Sequence, residues 1–170
     1  IMKSLIASIL ILGLVGLVVG VVVKADETAS ITATVTPGVV SVTVSPTTFS
    51  YGTMPLNTSK TSYQAGVTNG IVATVGTVNT NLNITGANAS SSTGTWTLAT
   101  STGANAYVHE FGAGANPTSW TALLTTPQSL ATGIAPNGTY TFGLKITTPT
   151  SSTVVEQYSV PVTVTAVWGG

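Results

Sequence analysis

The side chains able to do chemistry are few. Beyond Glu27 the ionisable set is Lys60, Lys145, Glu110, Glu156 and His109, and no cysteine occurs anywhere in the chain. Acid–base catalysis needs at least two such groups converging on one reacting atom. His109 and Glu110 are adjacent, so on a strand they point to opposite faces and build no site by themselves. A Ser-His-acid arrangement would have to recruit a distant serine and Glu156, and the strained Gly-x-Ser-x-Gly turn that exposes a nucleophile is missing. One histidine without cysteine leaves no transition-metal set, and two scattered glutamates leave no calcium cage except through backbone carbonyls. The glycine-rich Gly112-Ala113-Gly114-Ala115 lacks the lysine and the strand-to-helix setting of a phosphate loop and reads as a flexible loop. The expectation is a chain with no catalytic residues, no cofactor and no metal, in which His109 sits beside an aromatic cluster of Tyr107, Phe111 and Trp120.

Binding chemistry is the other possibility. Trp96, Trp120 and Trp168 could stack on sugar rings, which would suit a glycan-binding module. Aromatics in strands are more often core, and Trp96 and Trp120 are expected there. Trp168, two residues from the last position, must dock against something or stay exposed, and a subunit interface would receive it. Four N-x-[ST] triplets, at Asn57, Asn83, Asn88 and Asn137, are possible N-glycosylation acceptors, with Asn88 and Asn137 in the likeliest loops. Four basic and four acidic residues among 170 give zero net charge. Phosphate neutralisation could supply no affinity, so nucleic acid is not an expected partner.

The elements that must position these residues begin with an uninterrupted apolar run from Ser4 to Val23, bracketed by Lys3 and Lys24. As a helix it would span about 30 Å, the hydrocarbon thickness of a bilayer. A secretory signal peptide is the competing reading, although the run is long for one. Ala7, Gly13, Gly16 and Gly20 fall near one face of such a helix, where small residues let helices pack closely. Asp26 and Glu27 are unfavourable at a helix C-terminus, so the helix is expected to end near Lys24.

Period-two alternation follows. Ile31, Ala33 and Val35 alternate with Ser30, Thr32 and Thr34, and Val40, Val42 and Val44 alternate with Ser41, Thr43 and Ser45, with Pro37-Gly38 as a turn between them. Further strands are expected over 71–78, 82–85, 95–99, 107–111, 119–124, 139–147 and 154–167, separated by breaker-rich stretches. Pro161 marks the last as an edge or a bulge. The expected fold is mainly β: an N-terminal hydrophobic α-helix over 1–25, a hinge and first strand over 26–38, and an immunoglobulin-like antiparallel β-sandwich over 39–170.

An apolar helix beginning next to Ile1, with a Ser/Thr-rich β head, resembles a type IV pilin, closest in style to archaeal-type pilins and archaellins. The resemblance covers the whole chain by architecture and rests on no specific motif. The bacterial pattern of Phe first and Glu fifth is replaced by Ile1 and Leu5. The resemblance implies removal of a short leader before Ile1, a membrane-held precursor, and an extracellular homopolymer with helices in the filament core and heads outside, serving adhesion or surface attachment. Two other readings remain open at this point: a secreted or membrane-anchored sandwich adhesin for glycans or surfaces, with 1–25 as signal peptide, and a fibre in which residues Thr28 to Pro37 complete a neighbour's sheet.

Overall fold

The computed structural model describes residues 31–170. Residues 1–25, where the N-terminal helix and its small residues Ala7, Gly13, Gly16 and Gly20 were expected, lie outside this range. Eleven strands follow in order: β1 (Val42–Ser45), β2 (Ser59–Thr61), β3 (Ile71–Val75), β4 (Thr80–Gly86), β5 (Ala89–Ser90), β6 (Thr95–Leu98), β7 (Ala106–Ala113), β8 (Thr121–Ala122), β9 (Gln128–Ile134), β10 (Thr139–Thr147) and β11 (Val162–Trp168).

The expected helix-plus-immunoglobulin-like sandwich is corrected by this architecture. Among the described residues there is no helix; they are all β. A curled eight-stranded sheet runs β1-β3-β10-β7-β6-β5, with β2 also on β10 and β8 also on β7, and a three-stranded sheet runs β11-β4-β9. Nor is the pairing wholly antiparallel, since β6 runs parallel to β7 through Thr97 and Ala106. The unequal sheets arise because β7 and β10 are long enough to carry two short strands each along one edge, which bends the larger sheet around the smaller.

Alternation explains the strands that form. On β4, Thr80, Leu82 and Ile84 are buried while Asn81, Asn83 and Thr85 are half-exposed. On β10, Phe142, Leu144 and Ile146 face inward. These side chains meet Ile71, Ala73 and Val75 of β3, Phe111 of β7, Leu123 and Leu130 in one core between the sheets. A second cluster joins Ala89, Tyr107 and Ile146 with half-buried Tyr51, Trp96 and Tyr158.

Several expected strands move. Residues 31–41 carry no strand, so the alternation of Ile31, Ala33 and Val35 has no ladder among the described residues, and Ile31 and Val35 are 95% and 89% exposed. The last strand starts at Val162 rather than 154, directly after Pro161, whose missing N–H cannot join a ladder. β9 and the short β2 and β5 had no apolar alternation to announce them. The 112–117 stretch is no loose loop: Gly112 and Gly143 face each other across β7 and β10, and Pro117 lies on both. A Cβ at Gly143 would fall 2.6 Å from Pro117 Cδ, and one at Gly112 would fall 2.3 Å from the Ser119 carbonyl oxygen.

Opposite faces of β10 therefore fail in different ways. Phe142→Ala empties the core and should cost about 3–5 kcal/mol; Gly143→Ala overpacks the Pro117 contact and should cost about 1–3 kcal/mol. Thr165→Ala, on the exposed face of β11, should stay within about 0.5 kcal/mol. Urea unfolding of the three variants checks the assignment of faces.

Candidate functional site

β7 aims Tyr107, His109 and Phe111 inward by alternation, and there His109 is 1% exposed. Its Nε2 lies 3.0 Å from the Tyr51 hydroxyl, and its ring stands edge-on to Tyr51 and tilted against Tyr107. Nδ1 has no hydrogen-bond partner among the described residues. Burial pushes the imidazole down to about 4, so it is neutral at ordinary pH. Burial also pushes the Tyr51 hydroxyl up, with a smaller push from Tyr107, and burial raises Tyr107 as well. Tyr107 donates to the Ala87 carbonyl, and Lys60 Nζ donates to the Tyr51 carbonyl at 2.6 Å. The cluster is thus locked and neutral, with no carboxylate to orient the ring and no nucleophile beside it.

The histidine's surroundings differ in part from expectation. Tyr107 is beside it, and Tyr51, which no local pattern pointed to, is its hydrogen-bond partner. Trp120 is not there: it lies half-buried on the outer face of the sheet, where Lys145 Nζ sits 5.2 Å from the ring centroid. Lys145 also pairs with Glu110 at 2.6 Å. Glu156, on the surface, accepts hydrogen bonds from Ser92 at 2.7 Å and Thr93 at 3.0 Å. These two bonds, Ser92 first, hold its carboxyl below the usual carboxylate range. Each lysine, glutamate and histidine of the described residues is therefore tied into the fold. Among them no group of three His, Cys, Asp or Glu could hold a metal ion, and no helix is long and apolar enough to cross a membrane. A depression of about 540 Å³ between Pro46–Phe49 and Ala65–Gly70 is lined by no ionisable side chain.

The tryptophans part company. Trp96 is half-buried, stacked on Tyr158 with ring centroids 3.9 Å apart, and donates from Nε1 to Ser152 at 2.9 Å. One face of its indole is therefore covered. Trp168 closes β11 opposite Thr80 and is 69% exposed. Among the sequons, Asn57 and Asn137 occupy exposed turns at φ 55° and 58°, a conformation asparagine tolerates well. Asn88 is exposed beside Ala89, its Oδ1 accepting from the Leu98 N–H at 3.0 Å. Asn83 lies in the middle of the central strand β4, flanked by Thr165 of β11 and Ser129 of β9.

What the sequence did not disclose is a seam. β1 ends one side of the larger sheet and β11 ends the smaller, and the two approach within 8 Å at Cα without a ladder between them. Val42 and Val44 of β1 and Val162, Val164 and Ala166 of β11 are only partly buried there, at the rim of the core. Trp168, in step with Val162, Val164 and Ala166 by period two, continues this row into the open. Pro161, read as an edge marker, was the available signal. Compared with protein-family models, curated proteins and solved structures, the chain shows no match.

Two outcomes follow. His109 titrates at about 6.5 when unfolded and about 4 when folded, so the unfolded chain binds the proton first. Stability is complete above pH 6.5 and falls as pH drops toward 4, by an amount on the order of 3 kcal/mol. Urea midpoints across that range should fall in the natural chain and fall less in His109→Leu. In a host that N-glycosylates, peptide mass spectrometry should find sugar at Asn57, Asn88 and Asn137 and none at Asn83, whose strand is closed on both sides.

Proposed function

We propose that the chain is a structural subunit of an extracellular type IV pilus-like filament, held in the membrane before assembly and polymerising with copies of itself through its apolar N-terminal segment. The observation that carries this reading is the uninterrupted apolar run from Ser4 to Val23, ahead of a compact β unit. A predominantly apolar run of twenty residues is what a bilayer's hydrocarbon can take up, and what a filament core can take up in its place. Exchange of lipid for neighbouring apolar segments is driven by close packing, which Ala7, Gly13, Gly16 and Gly20 favour by having small side chains.

The head is suited to being crowded. Its two lysines and two glutamates cancel, so copies arrayed side by side experience no net repulsion. Its surface polarity comes from hydroxyls and amides, which hydrate without charge. No covalent step enters: assembly is the activity, and adhesion or surface attachment is its use.

Replacing Gly16 and Gly20 together by Leu should abolish extracellular filaments in electron micrographs while leaving the urea unfolding transition of the head unchanged. Filaments of normal number and length from the double variant would remove the apolar segment from the assembly mechanism.

A further inference from the structure

Sheet edges are places where a folded β chain can pair with another, and proteins that remain single blunt them. Among the described residues six strands are paired on one side only, and four of them are blunted. β5 and β8 are two residues long, β2 is three residues long and carries Lys60, and β9 meets β4 through two register shifts that break its regularity. β1 and β11 are left plain. β1 pairs with β3 over Val42–Ser45 without a shift, and β11 pairs with β4 over all of Val162–Trp168 without a shift. Neither carries a charged residue. These two regular edges are the ones that flank the seam.

The backbone of β11 is oriented for a further strand. The bond from Gly169 N–H to the Asn79 carbonyl at 2.9 Å fixes which residues face β4. By antiparallel alternation, Val162, Val164 and Ala166 turn their N–H and C=O groups away from it. No hydrogen bond reaches those groups among the described residues. Their side chains meanwhile stand at the rim of the core with Val42 and Val44. An occupant must therefore bring a free backbone ladder and a row of small or branched apolar side chains at period two.

The described residues contain such a segment. Ile31, Ala33 and Val35 alternate with Thr32 and Thr34, form no strand of their own, and leave Ile31 and Val35 almost fully exposed. Five residues in extended form cover about 17 Å, within the roughly 23 Å of β11. Nothing in the segment is charged, and its proline, Pro37, comes after the alternating run.

We infer that residues 31–35 of one copy pair with the open edge of β11 in a second copy, alongside the seam that β11 makes with β1. Ile31, Ala33 and Val35 cover Val42, Val44, Val162, Val164 and Ala166, with Trp168 at the end of the row. This rests on the reading of the chain as a self-polymerising subunit and adds to it a second, head-to-neighbour linkage. Each copy has a donor segment and a seam, so the contact is heterologous and, in a filament, repeats from copy to copy.

The absence of native cysteine makes cross-linking a clean test in the full-length chain. Thr32→Cys or Thr34→Cys, on the outward face of the donor, is combined with Thr163→Cys or Thr165→Cys, on the outward face of β11. Paired strands bring such positions within the separation a disulfide spans. At least one of the four combinations should give a ladder of disulfide-linked oligomers on non-reducing gels that collapses on reduction. Each single-cysteine chain should stop at dimers. Adding Ile31→Asp and Val35→Asp to the ladder-forming pair should remove the ladder.

Electron microscopy of the same samples separates the two claims. Filaments without a ladder, or with disulfides formed only within single chains, overturn strand donation and leave the filament reading standing. A ladder without filaments supports strand donation and overturns the filament reading. Absence of both overturns both.

Discussion

An all-β head has to dispose of its sheet edges, and the unpaired backbone along β1 and β11 is the constraint around which the remaining features gather. A helix satisfies its own N–H and C=O groups, whereas an edge strand satisfies half of them and leaves the rest to water or to a partner. Here the two regular, uncharged edges converge where the core is incompletely covered. Val42, Val44, Val162, Val164 and Ala166 are apolar because they belong to that core, and half-exposed because no strand lies over them. Removing them from water is worth about 25 cal/mol for each Å² covered, and a partner strand gains this together with a ladder of hydrogen bonds.

The rest of the head is finished. Phe142, Leu82, Ile84 and Leu123 are essentially inaccessible, and Pro117 is pressed onto the facing Gly112–Gly143 pair. Lys145 is held by Glu110 and Trp120, and Glu156 by Ser92 and Thr93. Even the unpartnered Nδ1 of His109 is sealed inside. Chemistry-bearing side chains are thus spent on holding the fold, and the unmet bonding capacity that remains is backbone at an edge. A protein whose open valences are of that kind is equipped to associate. The scarcity of charge that would make a lone soluble domain prone to aggregate is then compatible with the proposed role.

The sequence disclosed these features unevenly, for physical reasons. β10 was legible from end to end because Phe142, Leu144 and Ile146 face a core and alternate with polar neighbours. β4 was legible through Leu82 and Ile84. β9 was not: of Gln128–Ile134 only Leu130 is buried, so the strand is held by pairing with β4 and leaves no apolar rhythm. Alternation misled at Ile31–Val35 and at 154–161. The first has no ladder among the described residues, and the second is drawn into irregular structure by Glu156 and by the Ser90–Ser159 bridge. The partners of His109 were half legible, since Tyr107 shares its strand face and Tyr51 comes from 58 residues away. Local pattern offered only Pro161 as a sign of the seam, because the seam exists only where the first and last strands of the head are brought side by side.

The most direct measurement is a helical reconstruction, by electron cryomicroscopy, of filaments formed by the full-length chain, at a resolution that traces backbone. The account predicts continuous extended density for residues 31–35 along the open edge of β11 of the neighbouring head, connected to the preceding copy. Filaments in which every β11 edge is empty, or is filled by the same copy's own residues 31–35, would contradict it.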